Sequence, residues 1–273
     1  MRGYYQLGKM WVLSIGRLRE LSELYQQYIQ GKDINLNTNN LNWYPGKNTM
    51  YQFIEDTAII NIDGTLVKHL DPFFLSVGCV STIDISEHLI NAMKNTHIKN
   101  IILNFNSLGG VADGIQALAE FIYECSMLKK IIAISENNLK SGAYWLASAT
   151  NEILIGSTTC EVGSIGVCGL ISYKPKIEQT QTEFTAGEFK NAKSPNAEMT
   201  EEIRAYLQSQ IEHTYDLFIS DIARFRKVSK DKVLNDMADG KTFIGQQAID
   251  VGLVDGFYHQ TDWHLNKKIS AIK

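Results

Sequence analysis

Apolar positions recur at helical spacing from Ser14 to Ile29 (Ile15, Leu18, Leu21, Leu24, Tyr25, Ile29), and Gly31 supplies a stop, so the chain opens on an amphipathic helix. Lys32 to Lys47, with a run of Asn and the turn-like pair Pro45-Gly46, reads as an exposed connector. Beyond it the pattern becomes an alternation of apolar strands and amphipathic helices. Strands are predicted at Thr57 to Ile62, Asn100 to Asn106, Lys130 to Ser135 and Glu152 to Ile155, and helices at Ile83 to Met93, Val111 to Leu128 and from near Ser141. Runs such as Ile101-Ile102-Leu103 and Ile131-Ile132-Ala133-Ile134 are apolar at consecutive positions, as in strands covered on both faces. The pattern predicts an α/β fold with a mostly parallel sheet. Glu201 to Phe225 then reads as one long helix, followed by shorter ones near Lys230 to Met237 and Gly245 to Val251. Three segments are expected: an N-terminal helical extension with connector (1–50), a main domain (51–258) and a C-terminal helical tail (259–273).

Composition narrows the function classes. With 44% hydrophobic and 21% charged residues, the 273-residue chain has the balance of a soluble globular protein. Twenty-six basic against thirty acidic residues give a formal charge of -4, with neither sign gathered into a block, which argues against nucleic acid as a partner. Cys79, Cys125, Cys160 and Cys168 have neither C-x-x-C spacing nor the density of a disulfide scaffold; reduced thiols, a cytoplasmic setting and no metal or cofactor are expected. The apolar stretch Met10-Trp11-Val12-Leu13 is too short for a signal sequence or a spanning helix, so no membrane anchor is expected.

Four fragments carry candidate chemistry. In Asn138-Leu139-Lys140-Ser141-Gly142-Ala143-Tyr144, Ser141 stands where a strand passes into a helix, so its hydroxyl lies at the positive end of the helix and the next N–H can face a developing oxyanion. Taken alone, Ser141 also reads as a plain helix cap. Asn106-Ser107-Leu108-Gly109-Gly110-Val111 joins a strand to a helix through paired glycines, which leave backbone N–H groups open to a ligand or simply make a tight turn. The other two are Glu161-Val162-Gly163-Ser164-Ile165-Gly166-Val167 and Ala186-Gly187-Glu188-Phe189-Lys190-Asn191.

In this order the four fragments resemble the S49 peptidase family, which contains signal peptide peptidase A and phage head maturation proteases; the resemblance runs from about Ile59 to Gly256. It implies a ClpP/crotonase-like fold of repeated β-β-α units, and a serine endopeptidase working through a Ser/Lys dyad. Ser141 matches the family's nucleophile, Lys190 its general base, and Ser164 the serine that orients the lysine. Gly109, Gly110 and Gly142 match its oxyanion hole, and Lys193 is the second candidate for the base. Leu108 stands where the family has proline, and Leu139-Lys140 where it has a small pair. The six histidines leave none between His97 and His213, which sets the chain apart from ClpP proteases that need a histidine soon after the serine.

Because the chain carries one copy of the motifs, the resemblance implies a homo-oligomer in which Lys190 reaches the Ser141 of a neighbouring subunit. The substrate would be a protein or peptide. A head maturation protease acting on scaffold or capsid protein, within proheads, is the first reading, and a peptidase of signal-peptide remnants the second. Readings from other classes are a crotonase-like acyl-CoA enzyme and an inactive assembly module.

Overall fold

The computed structural model describes residues 9–32, 50–171, 184–194 and 198–258. Among them the strands in chain order are β1 (Met10–Val12), β2 (Tyr51–Ile54), β3 (Thr57–Asp63), β4 (Thr65–Val67), β5 (Cys79–Ser81), β6 (Asn100–Ser107), β7 (Gly110–Val111), β8 (Lys130–Lys140), β9 (Glu152–Ile155), β10 (Glu161–Gly163), β11 (Cys168–Gly169), β12 (Thr242–Ile244) and β13 (Gly256–Phe257). The helices are α1 (Ile15–Ile29), α2 (Pro72–Ser76), α3 (Thr82–Lys94), α4 (Ala112–Ser126), α5 (Gly142–Ser148), α6 (Glu201–Phe225), α7 (Lys230–Lys232, continuing as a π turn over Val233–Met237) and α8 (Gln246–Asp250). Most of the expected connector and all of the expected C-terminal tail lie outside the described residues.

The larger sheet follows the order β12-β10-β8-β6-β3-β2, with β9 and β13 branching from β8. Its centre is parallel: β3 pairs with β6, β6 with β8, and β8 with both β9 and β10. The fold is thus the mixed α/β arrangement with a largely parallel sheet that the sequence predicts. One face packs Ile60, Ile62, Ile101, Leu103, Phe105, Ile131 and Ala133 against α3, α4, α5 and α6, in a core containing Ile85, Leu89, Ile115, Leu118, Ile122, Trp145 and Phe218. Burial of this kind, at roughly 25 cal/mol per Å² of apolar surface, drives the assembly.

The strand β8 is five residues longer than its apolar run suggests. Glu136-Asn137-Asn138 lies past the predicted strand end at Ser135, yet Glu136 accepts a hydrogen bond from Tyr258 Oη (3.0 Å) and Asn138 Nδ2 donates to Asn106 Oδ1 (3.2 Å). These side chains continue a polar ladder on the face opposite the helices, where Asn106 Nδ2 donates to Asp63 Oδ1 (3.1 Å) and Asn104 Nδ2 to Asn61 Oδ1 (2.9 Å). The polar residues extend the strand to Lys140, and the helix can begin only after Ser141.

A smaller sheet has the order β11-β1-β7-β4-β5. The N-terminal helix forms where the periodicity places it, with Ser14 Oγ accepting from Arg17 N at its start. Leu18, Leu21 and Tyr25 pack on Phe73, Phe74 and Val67 in a second core that also takes in Trp11 and Leu13. Leu108, where the family has proline, packs against this second core.

Candidate active site

Ser141 closes the β8–α5 junction in a conformation that side chains rarely adopt, with φ 53° and ψ −119°. Such left-handed geometry in a residue other than glycine costs on the order of 1–3 kcal/mol and persists only where the surroundings enforce it. Here they do: the Ser141 N–H donates to Gly163 O (2.6 Å), and its carbonyl accepts from Trp145 N (3.0 Å) to start the helix. The hydroxyl makes no capping hydrogen bond to its own helix and lies instead 3.5 Å from Gly166 O. The helix-cap reading of Ser141 therefore fails. The side chain is turned away from the helix it precedes, toward the segment from Gly163 to Gly166.

The short helix α5 is firmly anchored. Tyr144, buried and with its phenol pKa raised by burial, donates from Oη to Leu253 O at 2.9 Å. Trp145 stacks on Phe218 of α6 with ring centres 4.2 Å apart, and its indole N–H donates to Asp221 Oδ2 at 3.1 Å. Asp221 is in turn ion-paired with Arg224 at 3.1 Å. Both aromatic residues thus hold in place the helix that follows Ser141.

Gly109 closes against this junction at φ 102°. A Cβ there would lie 2.8 Å from Gly142 N and 3.0 Å from Ser141 Cβ, and would collide with the carbonyl oxygen of Val12. The paired glycines thus do more than make a turn: they bring the loop's backbone against the nucleophile candidate. Ser107 Oγ donates to Gly64 O (2.6 Å) and accepts from Gly109 N (3.2 Å), so the loop is tied to the residue that joins β3 to β4. That bond engages the Gly109 N–H, while Gly110 pairs with Val12 of β1 on one edge and Leu66 of β4 on the other.

Ser164 sits on the loop that wraps Ser141, at φ 52°, with its own N–H donating to Lys241 O (2.6 Å). The geometry therefore brings together Ser141, Gly142, Gly109 and the Gly163–Gly166 segment. Lys190 is exposed in the single chain, on a turn closed by Lys190 N to Gly187 O (3.1 Å), beside Phe189, which stacks on Tyr206 of α6. Lys193 is exposed as well and borders a cavity of about 190 Å³ between β1, β11 and α6. Lys140, adjacent to the serine, is ion-paired with Glu161 across the β8–β10 ladder, which directs its amine along the sheet.

Two features escape the sequence. The first is β1, which brings Val12 to the Gly109–Gly110 loop; the apolar Met10-Trp11-Val12-Leu13 stretch is its only trace. The second is Asp63, whose carboxyl burial pushes up to about 6 against the lowering effect of the Asn106 hydrogen bond. With a folded pKa above its ordinary value, the native state binds more protons than the unfolded chain between about pH 4 and 6, so stability falls as pH rises through that window. Asp63→Asn keeps an acceptor for Asn106 and removes the buried charge. It is expected to raise the melting temperature at pH 8, and to leave it unchanged at pH 3.5, in paired calorimetric scans.

The model of peptidase family S49 matches residues 125–269, more than half of the chain. The chain belongs to peptidase family S49. The matched region contains Ser141, Ser164 and Lys190. Among its relatives, a protein of Methanocaldococcus jannaschii whose name marks it as a candidate protease is 35% identical over 59% of this chain and 53% of its own length. Capsid assembly protease C of Escherichia phage lambda is 27% identical over 80% of this chain and 50% of its own length. Protease 4 of Haemophilus influenzae is 27% identical over 77% of this chain and 34% of its own. The S49 chain spans about half the length, or less, of these three relatives. Among its described residues, no helix is long and apolar enough to cross a membrane.

Proposed function

We propose that this S49 member is a serine endopeptidase with Ser141 as nucleophile and the Lys190 of a neighbouring copy as general base. The observation that carries the reading is the backbone of Ser141, held at φ 53° with its hydroxyl turned away from the helix. A serine needed only as a cap would not be kept in that conformation. The exposure of Lys190 in the single chain supports a dyad completed between copies.

In the reaction, Ser141 Oγ bonds to the peptide carbonyl carbon as its proton passes to neutral Lys190 Nζ. The carbonyl oxygen becomes an oxyanion held by the N–H of Gly142 and an N–H of Gly109 or Gly110, each such donor contributing about 3 to 4 kcal/mol in other serine peptidases. The C–N bond then breaks and the lysine proton goes to the leaving amine. Water cleaves the acyl ester by the same route in reverse and restores Ser141. Ser164, on the segment that wraps the nucleophile, orients the incoming lysine.

For substrate, the reading places this enzyme with capsid-assembly proteases: the lambda protein of that name matches over 80% of the chain, including residues ahead of the family-matched region. A relative in Enterococcus faecium that carries the signal peptide peptidase SppA name, 30% identical over 60% of the chain, keeps a role on signal-peptide remnants as the second reading.

The shared dyad is tested by mixing. Ser141→Ala and Lys190→Ala chains, each inactive alone on a peptide substrate, are expected to regain activity when co-assembled, because a 1:1 closed ring pairs an intact serine with an intact lysine at about a quarter of its interfaces. Mixed assemblies, verified by native mass spectrometry, that stay inactive would place the dyad within one chain.

A further inference from the structure

The strand β1 lies antiparallel between β7 and β11, with Trp11 in register with Val111 on one side and Cys168 on the other, Val12 opposite Gly110, and Met10 opposite Gly169. These flanking strands are the two walls of the site. β7 continues the Gly109–Gly110 loop, and β11 follows the Gly163–Gly166 segment that wraps Ser141. A strand in this slot pairs its main chain on both edges, which is how an extended peptide is recognised by strand addition.

The Val12 carbonyl oxygen, the Gly142 nitrogen and the Ser141 Cβ all crowd one point, the position of a would-be Cβ on Gly109. The carbonyl of Val12 therefore lies at the glycines assigned to the oxyanion hole. On either side of it the segment is seated by its side chains: Trp11 and Leu13 are buried in the second core and Val12 in the first. The Leu13 carbonyl accepts from Cys168 Sγ at 3.2 Å, and Lys9 is ion-paired with Asp113, which also holds Lys68. The seating is incomplete in one respect. Among the described residues the buried Trp11 Nε1 has no hydrogen-bond partner, an unsatisfied donor that favours release of the strand.

We propose that the chain's own N-terminal strand occupies the substrate cleft in cis, so that Met10–Leu13 blocks Ser141 as a built-in peptide and must leave the slot before another polypeptide is cut. The proposal rests on the reading of Ser141 as nucleophile. It also defines what displaces the strand: an extended segment that pairs with both β7 and β11 and presents an aliphatic side chain of about the size of valine at the Val12 position.

A reversible lock tests it. Trp11→Cys places a thiol opposite the native Cys168, a register pair whose Cα separation in an antiparallel ladder suits a disulfide. Oxidised, this variant is expected to hydrolyse an extended fluorogenic peptide at least tenfold more slowly than after reduction, while Trp11→Cys combined with Cys168→Ser shows no redox response. Equal rates with the disulfide formed, as counted by mass, would overturn the proposal. Because Trp11 is a core residue, hydrogen exchange on Ser141→Ala gives a second readout with β1 unaltered. Saturating peptide, its binding followed by anisotropy, is expected to strip protection from the amides of Trp11 to Leu13; undiminished protection with peptide bound would equally refute the idea. Failure of the nucleophile reading is separate: it appears as full activity in Ser141→Ala.

Discussion

Ser141→Ala is expected to abolish peptide hydrolysis while leaving the protein folded. Removing the nucleophile of a serine peptidase costs on the order of 10⁴- to 10⁶-fold in kcat, the remainder coming from the oxyanion hole and binding alone. Stability should hardly move, because the hydroxyl makes only a long contact of 3.5 Å with Gly166 O and does not cap α5. A substitution that removes so weak a hydrogen bond falls within about 1 kcal/mol. Ser141→Gly is expected to be equally inactive and to melt higher than Ser141→Ala, since glycine adopts φ 53° without the steric cost borne by any residue with a Cβ. Initial rates on a fluorogenic peptide and scanning calorimetry on the three proteins check both halves. Retained activity in either variant would remove Ser141 from the chemistry, and a glycine variant less stable than alanine would remove the claim of strain.

Most of the frame that positions Ser141 was legible because its strands are buried on both faces or its helices are amphipathic. The runs at Ile101 and Ile131 announce the central strands, and the α6 boundaries at Glu201 and Phe225 coincide with the periodic segment and its Thr200 cap. Legibility failed where polar side chains face away from the helical layer. Glu136 and Asn138 fall beyond the predicted strand end at Ser135, because the partners that hold them in the strand, Tyr258 and Asn106, are distant in sequence. It failed again at β1, three residues long, whose pairing with β7 and β11 depends on contacts no local pattern records.

The site divides in the same way. Ser141, Gly109 and Gly142 were marked by a serine and glycines at strand-to-helix junctions, and the fold draws them together because both junctions lie at the same ends of neighbouring parallel strands, β6 and β8. Lys190 was marked only by its motif, and its turn, fixed to α6 through the Phe189–Tyr206 stack, leaves it exposed in one chain. On the proposed shared dyad its partner lies on another copy, and the packing of a single chain does not place such a pair. The roles of Tyr144 and Trp145 follow from Leu253 and Asp221, more than seventy residues further along, so the motif alone could not separate anchoring from catalysis.

Gly109→Ala is expected to lose about 10²- to 10³-fold in kcat, the cost of one misplaced oxyanion donor. Two independent effects act at this position. Its φ of 102° is strained for alanine whatever the available space, and the added Cβ would meet Gly142 N at 2.8 Å and Ser141 Cβ at 3.0 Å, none of which is the yielding end of a flexible side chain. To relieve the contact, the Gly109–Gly110 loop must retreat from the nucleophile, and the donor retreats with it. Gly78→Ala separates the two effects, for Gly78 also has positive φ, 71°, but a Cβ there meets nothing within 4 Å. That variant should lose stability through backbone strain and keep its kcat. The clash of Gly109→Ala with the Val12 carbonyl would disappear once β1 left the slot, whereas the contacts with Gly142 and Ser141 would not. The activity deficit of Gly109→Ala is therefore expected to persist at saturating peptide, when β1 is displaced. A variant that regained parental kcat under those conditions would show that the glycine serves the N-terminal strand and not the oxyanion.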